Sequence, residues 1–282
     1  MKKIIKTIFL QNIYLDHFYQ FSSSFFNYKK IKNYPFGKVN KHKRDDYLNL
    51  FDAARNQEYK EVVSFEKRYE HKINKNWLNN LALVTQVTIK NSEICYAHGR
   101  ILYTLLSHQI LKINEKIQII ETGTSKGFSS LCMAKALNDL DKEGNIHTID
   151  ILPKDKKIFW NSISDFEGTK NRFKLLENWK NLIEKHIKYY EGFSKNILKD
   201  LSYLKRIHFA FLDGSHTYLD VKFELEFVAK RQKKNDMIVI DDYNKQYPGL
   251  VKATNNFLNN FNYSIELINS SKNRTYAICK KI

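Results

Sequence analysis

Downstream of about Ser92 the chain alternates between two hydrophobic periods. Residues Tyr96–Lys112 place Ile101, Leu105, Ile110 and Leu111 near helical spacing, and Lys116–Ile120 is a short apolar run of strand type. The same reading predicts helices over Ser129–Leu140, Leu182–Ile187, Ser194–Leu201, Asp220–Arg231 and Leu250–Phe261. It predicts strands over Asn145–Ile151, Lys188–Gly192, Ile207–Leu212 and Asp236–Ile240, and a closing hairpin of Tyr263–Ile268 with Thr275–Cys279. Strands alternating with helices imply an α/β fold with a doubly wound, mostly parallel sheet covered on both faces.

Upstream, residues 1–91 lack strand alternation and are expected to be a partly helical extension ahead of a main domain over 92–282. Asp45 to Tyr69 reads as one helix, with Leu48, Phe51, Ala54 and Tyr59 roughly on one face. Pro35-Phe36-Gly37 marks a turn. The polar stretch Pro153–Asn181 carries Phe159, Trp160, Phe166 and Trp179, and is either a lid or a small satellite core.

Composition adds charge to this picture. Lysine and arginine number 47 against 30 acids, a net charge of +17, and residues 1–80 hold 16 of those bases against 8 acids. Such a balance favours anionic partners, nucleic acid or an acidic membrane surface, while scattered Lys, Asn and Ile also mark an AT-rich coding bias. Three widely spaced cysteines, Cys95, Cys132 and Cys279, show neither metal spacing nor a disulfide framework, which fits a reducing, cytoplasmic setting. The basic-then-apolar start is interrupted by Gln11, Asn12 and Asp16, so neither a signal peptide nor a membrane span is expected.

In a doubly wound sheet ligands bind beyond the carboxyl ends of the strands. The residues there are Glu121-Thr-Gly-Thr-Ser-Lys-Gly127, Asp150, Gly192-Phe193-Ser194, Asp213-Gly-Ser-His216 and Asp241-Asp242-Tyr243. Four of these five sets carry acids in a chain that is basic overall. The stretch IIETGTSKGFSS lacks the Gly-Lys-Ser/Thr ending of a phosphate-cradling loop and the G-x-G-x-x-G of a dinucleotide site. An acid beside the loop suits a cationic ligand, and Asp150 is placed to accept hydrogen bonds from a ribose diol. A ribose, an aminoacyl group and a positive centre together describe S-adenosylmethionine.

The glycine stretch resembles motif I of class I S-adenosylmethionine-dependent methyltransferases, and the resemblance covers roughly Tyr96–Ile282. FLDGSHTYLDVKFELEFV and IVIDDYNKQYPGLVKATNNF are similar to the small-molecule O-methyltransferase group that includes macrocin O-methyltransferase-like enzymes. The resemblance implies a Rossmann-like seven-stranded sheet with an antiparallel C-terminal end. It implies that Glu121, Gly123, Ser125, Gly127 and Ser129 serve the aminoacyl end of the cofactor, with Asp150 on the ribose, Phe193 and Ser194 near adenine, and Asp213 adjoining. It also implies Mg²⁺ held by Asp213, Asp241 and Asp242, with His216 and Asp213 as catalytic groups and His216 a candidate base. Each acid has a plainer alternative: Asp213 as cap of the helix near Thr217, and Asp241 as the start of a turn. Tyr243 and Tyr247-Pro248-Gly249 either border the acceptor pocket or form an ordinary turn.

The expected reaction is methyl transfer to a hydroxyl of a small molecule, a sugar or a glycoconjugate. The net charge keeps a nucleic-acid-binding or nucleic-acid-modifying protein as an alternative, although no Asn/Asp-Pro-Pro-Tyr/Phe motif follows the fourth strand and nucleic acid is not the expected partner. A non-catalytic relative docked to a membrane or partner through its basic N-terminal region is the third reading.

Overall fold

The computed structural model describes residues 35–37, 42–90, 93–271 and 274–282. Expectations for the leading residues 1–34 therefore lie outside the described residues. Three helices come first: α1 (Arg44–Arg55), α2 (Lys60–Tyr69) and α3 (Lys75–Thr85). The single helix expected over Asp45–Tyr69 is broken at 56–59. Asn56 turns back to donate its side-chain amide to the Asp52 carbonyl (3.0 Å), and Tyr59 is extended, which carries its ring into the core. The break lets α1 bury Tyr47, Phe51 and Ala54 while α2 buries Val62 and Phe65. Leu48, expected on the inner face, is only partly covered.

The α/β part follows as α4 (Ala97–Ile110), β1 (Ile117–Thr122), α5 (Phe128–Asp139), β2 (Gly144–Asp150), α6 (Arg172–Leu175), α7 (Lys180–His186), β3 (Ile187–Glu191), α8 (Ser194–Asp200), β4 (Phe209–Leu212), α9 (Tyr218–Ala229), β5 (Met237–Ile240), α10 (Pro248–Asn260), β6 (Tyr263–Ser271) and β7 (Arg274–Lys281). The seven strands lie in the order β3-β2-β1-β4-β5-β7-β6. β1 to β5 pair in parallel, and β7 runs antiparallel to both β5 and β6.

Strand alternation sorts the core into two layers. Ile117, Ile119, Phe209, Phe211, Met237 and Val239 face one cluster, which also takes in residues of α1 to α5 and α7. Ile120, Ala210, Leu212, Ile238 and Ile240 face the other, with α8, α9 and α10. Burial on both faces is why these strands read as continuous apolar runs rather than alternating ones. The segment over 153–181 is not a detached lid: Trp160, Leu175, Leu176 and Trp179 are buried in the first cluster, while Phe166 remains 47% exposed. All three cysteines are buried and free, and no helix among the described residues is long and apolar enough to cross a membrane.

The strand order reverses between β1 and β4, and there the two following loops touch. A Cβ built on Gly123 (φ +91) would lie 2.1 Å from the carbonyl oxygen of Asp213, and one on Gly214 would lie 3.1 Å from the Thr122 side chain. Gly123 is thus required for backbone-on-backbone packing. Gly127 (φ +92) leads into α5, where a Cβ would meet Leu176 at 2.8 Å. Gly123→Ala is expected to destabilise the fold by at least about 3 kcal/mol, combining overpacking with a left-handed backbone that alanine rarely adopts. Chemical denaturation of the purified variant measures it.

Candidate functional site

A cavity of about 770 Å³ opens over the carboxyl ends of the strands at this reversal point. Its wall includes Gly123, Ser125, Asp150, Phe193, Ser194, Asp213 and His216, seven of the residues expected at the site. Backbone hydrogen bonds extend the sheet into the loops and fix these tips. The Gly123 amide donates to Ile149 (2.9 Å), Asp213 to Thr122 (2.9 Å), Gly192 to Asp150 (2.8 Å) and Asp241 to Leu212 (3.1 Å).

Asp150 is the hub of the glycine-loop side. Its carboxylate accepts from the backbone amides of Ser125 (2.6 Å) and Leu152 (2.8 Å), one on each oxygen. Each oxygen keeps a further lone pair for a ligand hydroxyl on the cavity wall. Arg172 braces the same loop from behind, donating to the Ser125 carbonyl (3.0 Å) while its guanidinium lies over Tyr189 and Trp160. Ser125 is held at φ +49 by these contacts. Phe193, 54% exposed, projects from the tip of β3 beside the cavity.

Three expected cofactor residues lie off the cavity wall. Glu121 is fully buried beneath the loop and accepts hydrogen bonds from the hydroxyls of both Ser129 and Ser130. Burial pushes its pKa up, opposed by those hydroxyls and by Thr148. The acid of the motif therefore anchors α5 to β1, Ser129 serves that anchor, and Gly127 makes room for Leu176.

The acids after β4 and β5 divide in the same way. Asp241, expected as a metal ligand, is fully buried and paired with Arg274, whose Nη2 bonds Oδ2 and whose Nε lies 3.3 Å from Oδ1. Oδ1 also accepts the Asp242 amide at 2.7 Å. The guanidinium outweighs the burial cost and holds the Asp241 pKa below its usual value. The expected set of Asp213, Asp241 and Asp242 does not converge. Asp213, His216 and Asp242 do, each with one potential ligand atom within 4.8 Å of the others. Burial and the neighbouring Asp241 charge push the Asp213 carboxyl well above its usual range. Asp213 does not cap the following helix, since Thr217 accepts from the Asp220 amide there (3.3 Å). Asp242 sits at φ +55, a left-handed conformation uncommon outside glycine and typical of functional loops.

His216 Nε2 lies 3.3 Å from Asp242 Oδ2, and its ring meets Tyr247 edge-on at 4.1 Å. Its Nδ1 is buried with no hydrogen-bond partner among the described residues. Tyr247 lines the cavity, whereas Tyr243 bonds Asn255 (2.7 Å) and does not.

Residues 120–243 match the family model described as a methyltransferase domain. Residues 120–243 are a methyltransferase domain. Among solved structures it is similar to the O-methyltransferase TomG from Streptomyces achromogenes, involved in tomaymycin synthesis and solved in complex with S-adenosylmethionine. Identity is 16%, over 78% of this chain and 94% of that one, with a TM-score of 0.51. It is also similar to an O-methyltransferase from Bacillus cereus in complex with S-adenosylhomocysteine, 14% identical over 80% of this chain and 93% of that one, with a TM-score of 0.50. At these identities the likeness is one of fold. No curated protein matches the chain.

Three residues that support this candidate site were not singled out from the sequence. Arg274 and Arg172 gave no signal, because their partners are remote in the chain. Glu224, 1% exposed, faces the sheet from α9 and accepts from Thr122 Oγ1 (3.0 Å), while its Oε1 has no partner among the described residues. Its signal was an acid on the apolar helix stripe of Val221, Leu225 and Val228.

Two predictions follow from these buried charges. Asp241→Asn is expected to cost about 3–5 kcal/mol by leaving Arg274 buried without its counter-ion, measured by urea unfolding. Burial raises the Glu224 pKa from 4.5 to about 7. The folded state then holds this proton where the unfolded chain has released it, so wild-type stability falls as pH rises from about 4.5 to about 7. Glu224→Gln should flatten that part of the stability–pH curve in thermal unfolding and leave the variant relatively more stable at pH 8.

Proposed function

We propose that this chain transfers the methyl group of S-adenosylmethionine to a hydroxyl oxygen of a small acceptor, a sugar being one member of that class. The observation that carries this is the convergence on one cavity of Asp150 with spare acceptor capacity, an exposed aromatic at the β3 tip, and a histidine with a buried, partnerless nitrogen. Asp150 would take the ribose hydroxyls, and Phe193 with Ser194 would flank the adenine. Gly123 and Ser125 would present backbone to the aminoacyl end. About 770 Å³ is within the range of small-molecule sites and leaves space beyond the cofactor for an acceptor on the His216 and Tyr247 side.

The acceptor oxygen attacks the methyl carbon, the carbon–sulfur bond breaks with its electron pair going to sulfur, and the hydroxyl proton leaves the oxygen. His216, on the cavity wall with its Nε2 beside Asp242, is the group placed to take that proton. Orientation of the two reactants supplies most of the rate. Asp150 and Asp220 put carboxylates on the cavity wall where a polyphosphate acceptor would be repelled, which favours a small hydroxylated acceptor over nucleic acid.

A second reading of the acceptor side rests on the close approach of three ligand atoms. Asp213, His216 and Asp242 would hold a divalent cation, which when bound supplies a lowered pKa to the acceptor hydroxyl. With Asp241 engaged by Arg274, the donor set contains one imidazole, and an imidazole suits manganese or zinc better than the Mg²⁺ expected of three carboxylates. On this reading His216 takes the place expected of Asp241, with Asp213 and Asp242 kept.

Calorimetric titration of S-adenosylmethionine into the full chain tests the cofactor. Binding with a Kd of about 1–100 μM is expected, weakened at least about tenfold in Asp150→Ala. Absence of binding to wild-type protein would sink the assignment. In a screen of hydroxylated acceptors His216→Ala should lower kcat by about 10²-fold or more. Activity that survives EDTA favours proton removal by histidine alone, and loss restored by Mn²⁺ favours the cation.

A further inference from the structure

The turn Pro35-Phe36-Gly37 is far from the strands in sequence, yet Pro35 and Phe36 line the same cavity as Ser125, Asp150 and Leu152. Three contacts hold the turn there. Asn161, 3% exposed and at φ +49, donates its side-chain amide to the carbonyls of Phe36 (2.7 Å) and Ile89 (3.1 Å) and accepts from the Tyr47 hydroxyl (2.7 Å). The Phe36 ring stacks on buried Trp160, with centroids 6.1 Å apart and planes at 29°. The Lys126 Nζ lies 4.9 Å from the Phe36 ring centroid.

Lys126 belongs to the glycine loop itself and is 2% exposed, an uncommon state for lysine. Its direct partners are neutral: the Thr88 hydroxyl (2.6 Å), the Asn161 carbonyl (3.5 Å) and the aromatic face. Burial lowers the Lys126 pKa to about 7, so near neutral pH it meets the Phe36 ring partly as a cation and partly as a neutral amine. The loop that faces the cofactor and the turn from the N-terminal region are thereby fastened to each other. Simple packing of an extension onto a domain would not need the turn to reach the cavity wall or a buried lysine to meet it.

We propose that Phe36 is a binding residue of the cofactor pocket, supplied by the N-terminal region, and that Asn161 and Lys126 are the positioning residues that hold it against the glycine loop. The N-terminal region then completes the methyltransferase site rather than serving only as a basic docking arm. This rests on the reading that the cavity takes S-adenosylmethionine.

The test uses the full chain and S-adenosylhomocysteine as probe, with affinity by calorimetry and dissociation rate by stopped flow. Phe36→Ala should bind about tenfold more weakly, chiefly through faster dissociation, since it loses a buried aromatic contact. Phe36→Tyr keeps the ring and should bind within about threefold of wild type. Lys126→Met retains the apolar stem but releases the turn, and should show the same faster dissociation. If Phe36→Ala lowers the melting temperature strongly, Phe36→Leu decides instead, with weaker binding expected at unchanged melting temperature. Wild-type affinity in Phe36→Ala or, in that case, Phe36→Leu overturns the proposal while the cofactor reading stands. A wild-type protein that does not bind the probe overturns both.

Discussion

A side chain on Gly123 would fall 2.1 Å from the Asp213 carbonyl oxygen, so the loops after β1 and β4 meet backbone to backbone. That contact lies where the sheet changes its winding direction, and it brings the two loops close enough to share one cavity. The rest of the site is built outward from it. Ser125, two residues along, ties β1 to β2 through Asp150 and is braced by Arg172. Gly214 passes beside Thr122 and leads on to His216. Enlarging the contact at Gly123 would move both halves of the site apart together.

The strand-end acids form two populations, distinguished by what satisfies them. Glu121 and Asp241 are fully buried, one held by two serine hydroxyls and the other by a guanidinium. Asp150, Asp213 and Asp242 remain partly accessible and retain capacity for a ligand. Burying a carboxylate costs least when its lone pairs are matched, so the first population supports the fold and the second keeps acceptor capacity towards the cavity side. The distinction also explains the contrast between a basic chain and an acidic site: some of the strand-end acid is neutralised internally, and what faces the cavity is a smaller, localised set.

The doubly wound sheet was readable because parallel strands buried on both faces make uninterrupted apolar runs, and because the helices between them repeat at their own period. Segment limits shifted by one or two residues, and the hairpin strands extended further than their apolar cores suggested. That extension mattered, because it placed Arg274 at the first position of β7, where its side chain reaches Asp241. The helix expected over Asp45–Tyr69 failed at Asn56, where burying Tyr59 overrode helical continuity.

The sheet, its order of elements and the five strand-end loops were legible in the chain, since periodicity and glycine placement are local properties. Asp150, Phe193, Ser194, Asp213 and His216, expected together from the sequence, line one cavity because the fold sends every strand end to the same edge. Which acids are matched internally and which keep acceptor capacity emerged from the folded arrangement. It replaced Asp241 by His216 in the cluster, set Glu121 beneath the loop, and brought Phe36 to the cavity wall beside Lys126. Those outcomes depend on pairings across 33 residues for Asp241 with Arg274 and 125 residues for Phe36 with Asn161, and such distances leave no mark in local pattern.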